Sequence, residues 1–167
     1  MTSATQLRVG LILQSAGIDD PFLRGAYVGI ERAAHELGIK GRVLTPAPRE
    51  GYAPSLVLCA QQGYDLVLAT GMESAGAVDA VAPRFPETRF GIIDVAHDDL
   101  AHRPPNVQGI VFSEEQAGCL AGYLAALVLT LSPGENVISS VGGRPVDRKS
   151  TRLNSSHSLT SRMPSSA

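Results

Sequence analysis

Three short segments of this chain collect residue types that bind rather than react. Gln14-Ser15-Ala-Gly-Ile-Asp19-Asp20-Pro-Phe22, Thr70-Gly71-Met72-Glu-Ser74 and Asp94-Val-Ala-His-Asp98 each follow a short apolar run. They offer an acceptor-rich turn, a glycine turn feeding a helix start, and a carboxylate. Such a set suits a neutral polar solute with hydrogen-bond donors, such as a nucleoside or a sugar. Anionic solutes fit poorly, since Arg24 is the only basic residue near these segments. The candidate ligand-binding residues are Ser15, Asp19, Asp20, Phe22, Gly71, Met72 and Asp94.

Several of these have a structural role that competes with binding. Asp20 precedes Pro21 and can cap a helix, which leaves Asp19 freer to face a ligand. Phe22 is either a ligand contact or a core anchor at the first helical turn. Gly71 permits close backbone approach, and Met72 can fill a gap. Catalytic constellations are absent: neither Ser15 nor Ser74 has a His at the same strand ends, and no G-x-S-x-G, P-loop or G-x-G-x-x-G turn is present. No enzyme activity, cofactor or metal is expected. His97, Asp98, Asp99 and His102 are irregularly spaced in a polar loop and read as solvated surface, not a metal site.

The elements that must position these segments alternate regularly. Leu7–Leu13 reads as a buried strand. Asp20-Pro21 opens a helix whose apolar residues Phe22, Ala26, Ile30, Ala33 and Leu37 recur at helical spacing until Gly38 stops it. The cycle repeats with strands at Gly41–Thr45, Tyr64–Ala69 and Arg89–Asp94, and with helices over Tyr52–Gln62 and from Gly71 to about Arg84. Asn106–Phe112 makes a fifth strand, Ser113-Glu-Glu-Gln116 a capping-box-like helix start running to Leu131, and Asn136–Ser140 a further strand. Strands alternating with helices predict an α/β fold, a doubly wound parallel sheet of Rossmann-like type, with every binding segment beyond the carboxyl ends of the strands.

Bulk properties agree with a globular α/β chain. The 167 residues are 44% hydrophobic and 18% charged, with net charge −2. Such a balance gives no basic field for nucleic acid. Cys59 and Cys119 have no neighbouring Cys or His at metal-ligand spacing and read as small buried apolar residues. The amino terminus shows no basic segment followed by a long apolar stretch, so no signal peptide is visible.

Residues 147–167 differ in kind. They hold seven Ser, four basic residues and one acid, leaving residues 1–146 with ten basic and fifteen acidic residues, a net of −5. Asp147-Arg-Lys-Ser-Thr-Arg-Leu-Asn-Ser-Ser-His157 resembles the translation of a common short-read sequencing adapter, and Ser161-Arg-Met-Pro-Ser-Ser-Ala167 resembles its continuation. The expectation is that the gene continues past Val146 and that 147–167 is a non-native disordered tail outside any folded core.

Gly17-Ile-Asp-Asp20 with Phe22, Ala33-Ala-His-Glu-Leu-Gly38, Gln62-Gly-Tyr-Asp-Leu-Val67, Phe85-Pro-Glu-Thr-Arg-Phe90, Ile92-Ile-Asp94, Pro105-Asn-Val107, Phe112-Ser-Glu-Glu115, Ala121-Gly122 and Val141-Gly-Gly143 occur in one order. Together they resemble the basic membrane protein (PnrA-like) family of ABC-transporter substrate-binding proteins. The resemblance implies a type I periplasmic-binding-protein fold, with two lobes that clamp a small-molecule solute, a purine nucleoside in characterised members, and deliver it to an ABC permease. It implies a first lobe over 1–111, the start of an incomplete second lobe over 112–146, Phe22 stacking on a base and Asp94 accepting from base N–H groups. Leu23 stands where the family usually has Asn. An extracytoplasmic, membrane-associated location follows from the resemblance. The missing signal leaves a cytoplasmic ligand-sensing regulatory domain of the same fold as the alternative.

Overall fold

A computed structural model describes residues 6–14, 17–47 and 50–131, and the backbone of strands 137–140 and 159–162. Two compact units divide after Phe112. The first contains strands β1 (Arg8–Ile12), β2 (Lys40–Leu44), β3 (Leu66–Thr70), β4 (Arg89–Ile93) and β5 (Val107–Ile110), with helices α1 (Pro21–Leu37), α2 (Ala53–Gln61) and α3 (Met72–Val81). The strands form one sheet in the order β2-β1-β3-β4-β5, and every neighbouring pair is parallel.

The sheet is buried on both faces because its strands are apolar at successive positions rather than at alternate ones. Val9, Leu11 and Leu13 point to one face, where they pack with Leu23 and Ile30 of α1. Ile12, Val67, Ala69, Phe90 and Ile92 meet Leu56, Cys59 and Ala60 of α2 and Val78 and Val81 of α3. This division follows from the strand order. The chain leaves β1 toward β2, then returns past β1 to β3 and β4, so crossovers of one hand place α1 on the opposite side from α2 and α3.

The ends of α1 obey the sequence signals. One Asp20 carboxylate oxygen accepts from the backbone N–H groups of Phe22 (2.8 Å) and Leu23 (3.1 Å). Pro21 occupies the first helical position, and Gly38 closes the helix at φ 65° with its N–H on the Ala34 carbonyl. A left-handed terminal residue of this kind favours glycine.

The edge of the sheet opposite the candidate segments is held by side chains that satisfy backbone groups. Asp65 accepts from the Arg8 N–H at 2.7 Å. The Asn106 amide nitrogen lies 2.9–3.0 Å from the carbonyl oxygens of Ala82, Phe85 and Thr88, which share its two N–H groups and tie the turn after α3 to the start of β5. Asp79, buried near the end of α3, accepts from the His102 backbone N–H and lies 2.7 Å from its ring Nδ1. His97 Nε2 lies 3.1 Å from the Pro104 carbonyl oxygen. Two residues of the polar loop therefore tether it, whereas its sequence reads as solvated surface throughout.

The second unit contains α4 (Glu114–Leu131) and the antiparallel pair β6 (Val137–Ser140) and β7 (Leu159–Arg162). The Gln116 N–H donates to the Ser113 carbonyl at 3.1 Å, at the helix start expected there. No described residue of α4 is buried, and Leu120, Leu124 and Leu127 are 69%, 61% and 42% exposed. Cys119, expected to be buried, is exposed for the same reason, while Cys59 is buried. Strand β7 lies within 147–167, the segment expected to stand outside any folded core, and pairs with β6 in a separate two-stranded sheet. Antiparallel pairing uses backbone groups alone, so Leu159-Thr-Ser-Arg162, which contains neither Gly nor Pro, can form it without a hydrophobic period. The rest of 141–158 and 163–167 lies outside the described residues.

Candidate functional site

In a doubly wound sheet the crevice opens where neighbouring strands send their chains in opposite directions. Here that place lies between β1 and β3, with β4 beside it. Gly71, just past β3, has φ 76° and ψ 165°, a conformation open essentially only to glycine. A Cβ at Gly71 would overlap the Gln14 side-chain amide, so the β1 and β3 ends meet through a contact that needs the missing side chain. The Gly71 N–H donates to the Ile93 carbonyl of β4 at 2.9 Å, and its own carbonyl accepts from the Ser74 N–H (3.1 Å) and Oγ (2.8 Å). The Thr70 hydroxyl donates to the Ile12 carbonyl at 3.4 Å. The β3 end is thus pinned to strands on both sides, and Met72 projects partly exposed from the head of α3.

Asp94 ends β4 in a left-handed conformation, φ 69°, which is uncommon for any residue with a side chain. Its N–H donates to the Ile110 carbonyl at 2.7 Å, and Val95 forms an antiparallel bridge to Ile110. The chain therefore turns sharply at the strand end, with the Asp94 side chain half-buried.

At the β1 end the two neighbouring aspartates separate in role. Asp20 is engaged as the cap of α1, while Asp19 is exposed on a single 3₁₀ turn over Gly17–Asp19. Phe22 is 45% exposed, so it does not anchor the core. Its ring meets Phe112 edge to face, with centroids 6.3 Å apart and planes at 84°. Leu23, by contrast, is 1% exposed and packs with Val9, Leu11, Leu13 and Ile30. Leu23, at the position where the resemblance implies Asn, thus faces the core. Arg24 donates through Nε to the Ile18 carbonyl at 3.3 Å, a local contact for the basic residue nearest these turns. Ser15 lies outside the described residues.

Tyr52, at the head of α2, also belongs to this edge. Burial and then the Glu73 carboxylate push its phenol up to about 12 from an ordinary value of 10. The structure thus connects Gln14 with Gly71, Gly71 with β4, Asp94 with β5 and Phe22 with Phe112. Asp94 directly follows β4, beside the β3 end that carries Gly71, while Phe22 sits at the head of α1, the helix that follows β1. Gln14 and Phe112 are not among the candidate ligand-binding residues, although Gln14 opens the first of the three segments and Phe112 opens the motif Phe112-Ser-Glu-Glu115. For Gln14 the available signal was its place directly after the β1 run; for the Phe112 contact there was no local signal, because its partner lies in the first helix.

A family model described as "ABC transporter substrate-binding protein PnrA-like" matches residues 6–148. The chain belongs to this family. Among PnrA-like relatives it is 30% identical over 147 residues to an uncharacterized lipoprotein of Pyrococcus abyssi, covering 87% of this chain and 35% of that protein. It is 28% identical over 121 residues to basic membrane protein A1 of Borrelia garinii subsp. bavariensis, covering 72% and 35% of the two chains. Among solved structures, an ABC transporter solute-binding protein from Aeropyrum pernix K1 superposes with a TM-score of 0.64 at 30% identity, over 75% of this chain and 34% of that one. The chain spans about a third of the length of the curated relatives it matches. Among the described residues no helix is long and apolar enough to cross a membrane.

Proposed function

We propose that this protein is the solute-binding receptor of an ABC transporter and takes a neutral, nucleoside-like solute at the carboxyl edge of its first-lobe sheet. What supports the reading is a half-exposed aromatic ring, Phe22, at the head of the helix that follows β1, and a half-buried carboxylate, Asp94, directly after β4, with Gly71 just past β3, the strand between β1 and β4. A purine could stack on Phe22 while its N–H groups donate to Asp94, whose oxygens have several acceptor positions. Asp19 and Met72 would border the same solute. With Arg24 turned to the Ile18 carbonyl, the edge offers little to a phosphorylated ligand.

In this reading no bond of the solute is broken. Two lobes close around it, the closed form engages an ABC permease, and the protein works outside the cytoplasm at the membrane. Affinity then depends on contacts from both lobes, so the first lobe alone should bind only at millimolar concentrations and beyond.

Amide-resolved NMR of the 167-residue chain tests the site at those concentrations. Adenosine or guanosine should shift the amides of Phe22, Gly71, Met72 and Asp94 in a saturable way, and Asp94→Ala should weaken the effect. Equal or larger shifts with amino acids or sugar phosphates would sink the nucleoside assignment.

A further inference from the structure

Phe112 follows β5, and β5 lies three strands away from β1 in the sheet. At about 4.8 Å per strand, the carboxyl ends of β1 and β5 are roughly 14 Å apart. Phe112 nevertheless meets Phe22, which sits at the head of the helix leaving β1. Phe112 is only two residues past Ile110, a reach of about 7 Å, so the contact brings the head of α1 and the chain after β5 toward each other from both sides. Both rings remain about half exposed, at 45% for Phe22 and 54% for Phe112, so the contact does not serve to bury them in the core.

We propose that Phe112 is a positioning residue that holds the Phe22 ring in one orientation for stacking, an inference that rests on the solute reading of this edge. The backbone of Phe22 is already fixed from below. Pro21 precedes it, its N–H is held by Asp20, and Leu23 after it is locked in the core. Its ring is 45% exposed and meets Phe112 edge to face. A half-exposed Phe at a helix start has more than one staggered rotamer open to it, and a ring that hops between them must be ordered anew each time a planar solute binds. Edge-to-face contact at 84° selects one rotamer. Whichever ring supplies the edge, at least one face of Phe22 stays clear of Phe112 and open to a base. Pre-ordering the ring removes an entropic cost from binding without adding any contact to the solute.

The test uses the 167-residue chain and two readouts. Side-chain NMR without ligand should show Phe22 in one dominant rotamer, averaging between rotamers in Phe112→Ala and Phe112→Leu, and restored in Phe112→Tyr. Adenosine titration should then show affinity reduced about five- to tenfold in Phe112→Ala and Phe112→Leu but within about twofold in Phe112→Tyr. The Leu variant keeps an apolar side chain, so it separates ring geometry from general loss of packing should the Ala variant fold poorly. An unchanged Phe22 rotamer in Phe112→Leu, or unchanged affinity with a folded chain, overturns the proposal. If adenosine leaves Phe22 unperturbed in the unaltered chain, the solute reading fails, and the ligand-free rotamer measurement still decides whether Phe112 orients the ring.

Discussion

The two ends of the five-stranded sheet are built on opposite plans. At the amino end, side chains close the structure: Asn106 collects three carbonyls, Asp65 holds the first N–H of β1, and Asp79 takes His102. At the carboxyl end, the backbone adopts uncommon conformations at Gly71 and Asp94 while an aromatic pair stays half in water. The amino end uses its side chains to fasten loops, whereas at the carboxyl end Asp20, Thr70 and Ser74 fix neighbouring backbone and the aromatic pair is left half exposed. The difference explains how a His-Asp pair 2.7 Å apart can be structural here. It sits at the end where loops are fastened, away from the strand ends where ligands bind such sheets.

The comparison is broken most directly at Asn106. Asn106→Ala takes the amide from three backbone carbonyls, of which Ala82 and Phe85 keep the Phe85 and Thr88 N–H groups while Thr88 loses its side-chain donor, and a loss of about 2 kcal/mol in urea unfolding is expected. A loss below about 1 kcal/mol would mean that water replaces the amide and that the amino end is less closed than its geometry indicates.

At the other end the largest effect should come from Gly71→Ala. The substitution forces a side chain into a glycine-only conformation and displaces the Gln14 amide, for about 2 kcal/mol. Its diagnostic consequence is local: amide shifts should concentrate at 12–14 and 70–74 while the Asn106 turn is unchanged. Shifts spread evenly through both ends would deny that the two regions are independent.

A smaller effect is confined to alkaline pH. The Tyr52 phenol holds its proton more tightly when folded, so its contribution is complete below the unfolded value near 10 and is lost as pH rises toward about 12. The unfolded chain binds fewer protons in that window, and stability falls with pH. Tyr52→Phe should flatten the decline between pH 10 and 12. The buried Cys59 thiol, also pushed up by burial, should still contribute a decline that begins at lower pH. A Tyr52→Phe profile that superimposes on the parent would show that the phenol carries no such linkage.

The smallest change in stability is expected for Phe22→Ala, within about 0.5 kcal/mol, because so much of that ring is already in water. Leu23→Ala, one residue on, should cost about 3 kcal/mol from the core. Two neighbouring positions with such different stability costs would sharpen the contrast between an open edge and a packed interior, and similar costs would erase it.

Much of this architecture was legible locally. The strands, the Asp20-Pro21 start and the Gly38 stop were each specified within a few residues, because periodicity and capping are short-range properties, and their boundaries moved by only one or two positions. The direction of Leu23 was not legible, since a residue three positions into a helix faces the core or the crevice according to how that helix lies on the sheet. Strand β7 escaped notice because backbone pairing needs no apolar period.

What the sequence determined by itself was the set of elements, their alternation and hence the edge at which the candidate residues would gather. Strand order decided the rest. It put Gln14 against Gly71, let Phe112 after β5 meet Phe22 in the first helix, and tied Asp94 to the Ile110 carbonyl of β5. These contacts join residues far apart in the chain, and no local pattern encodes them, because each exists only once the sheet has chosen which strands are neighbours.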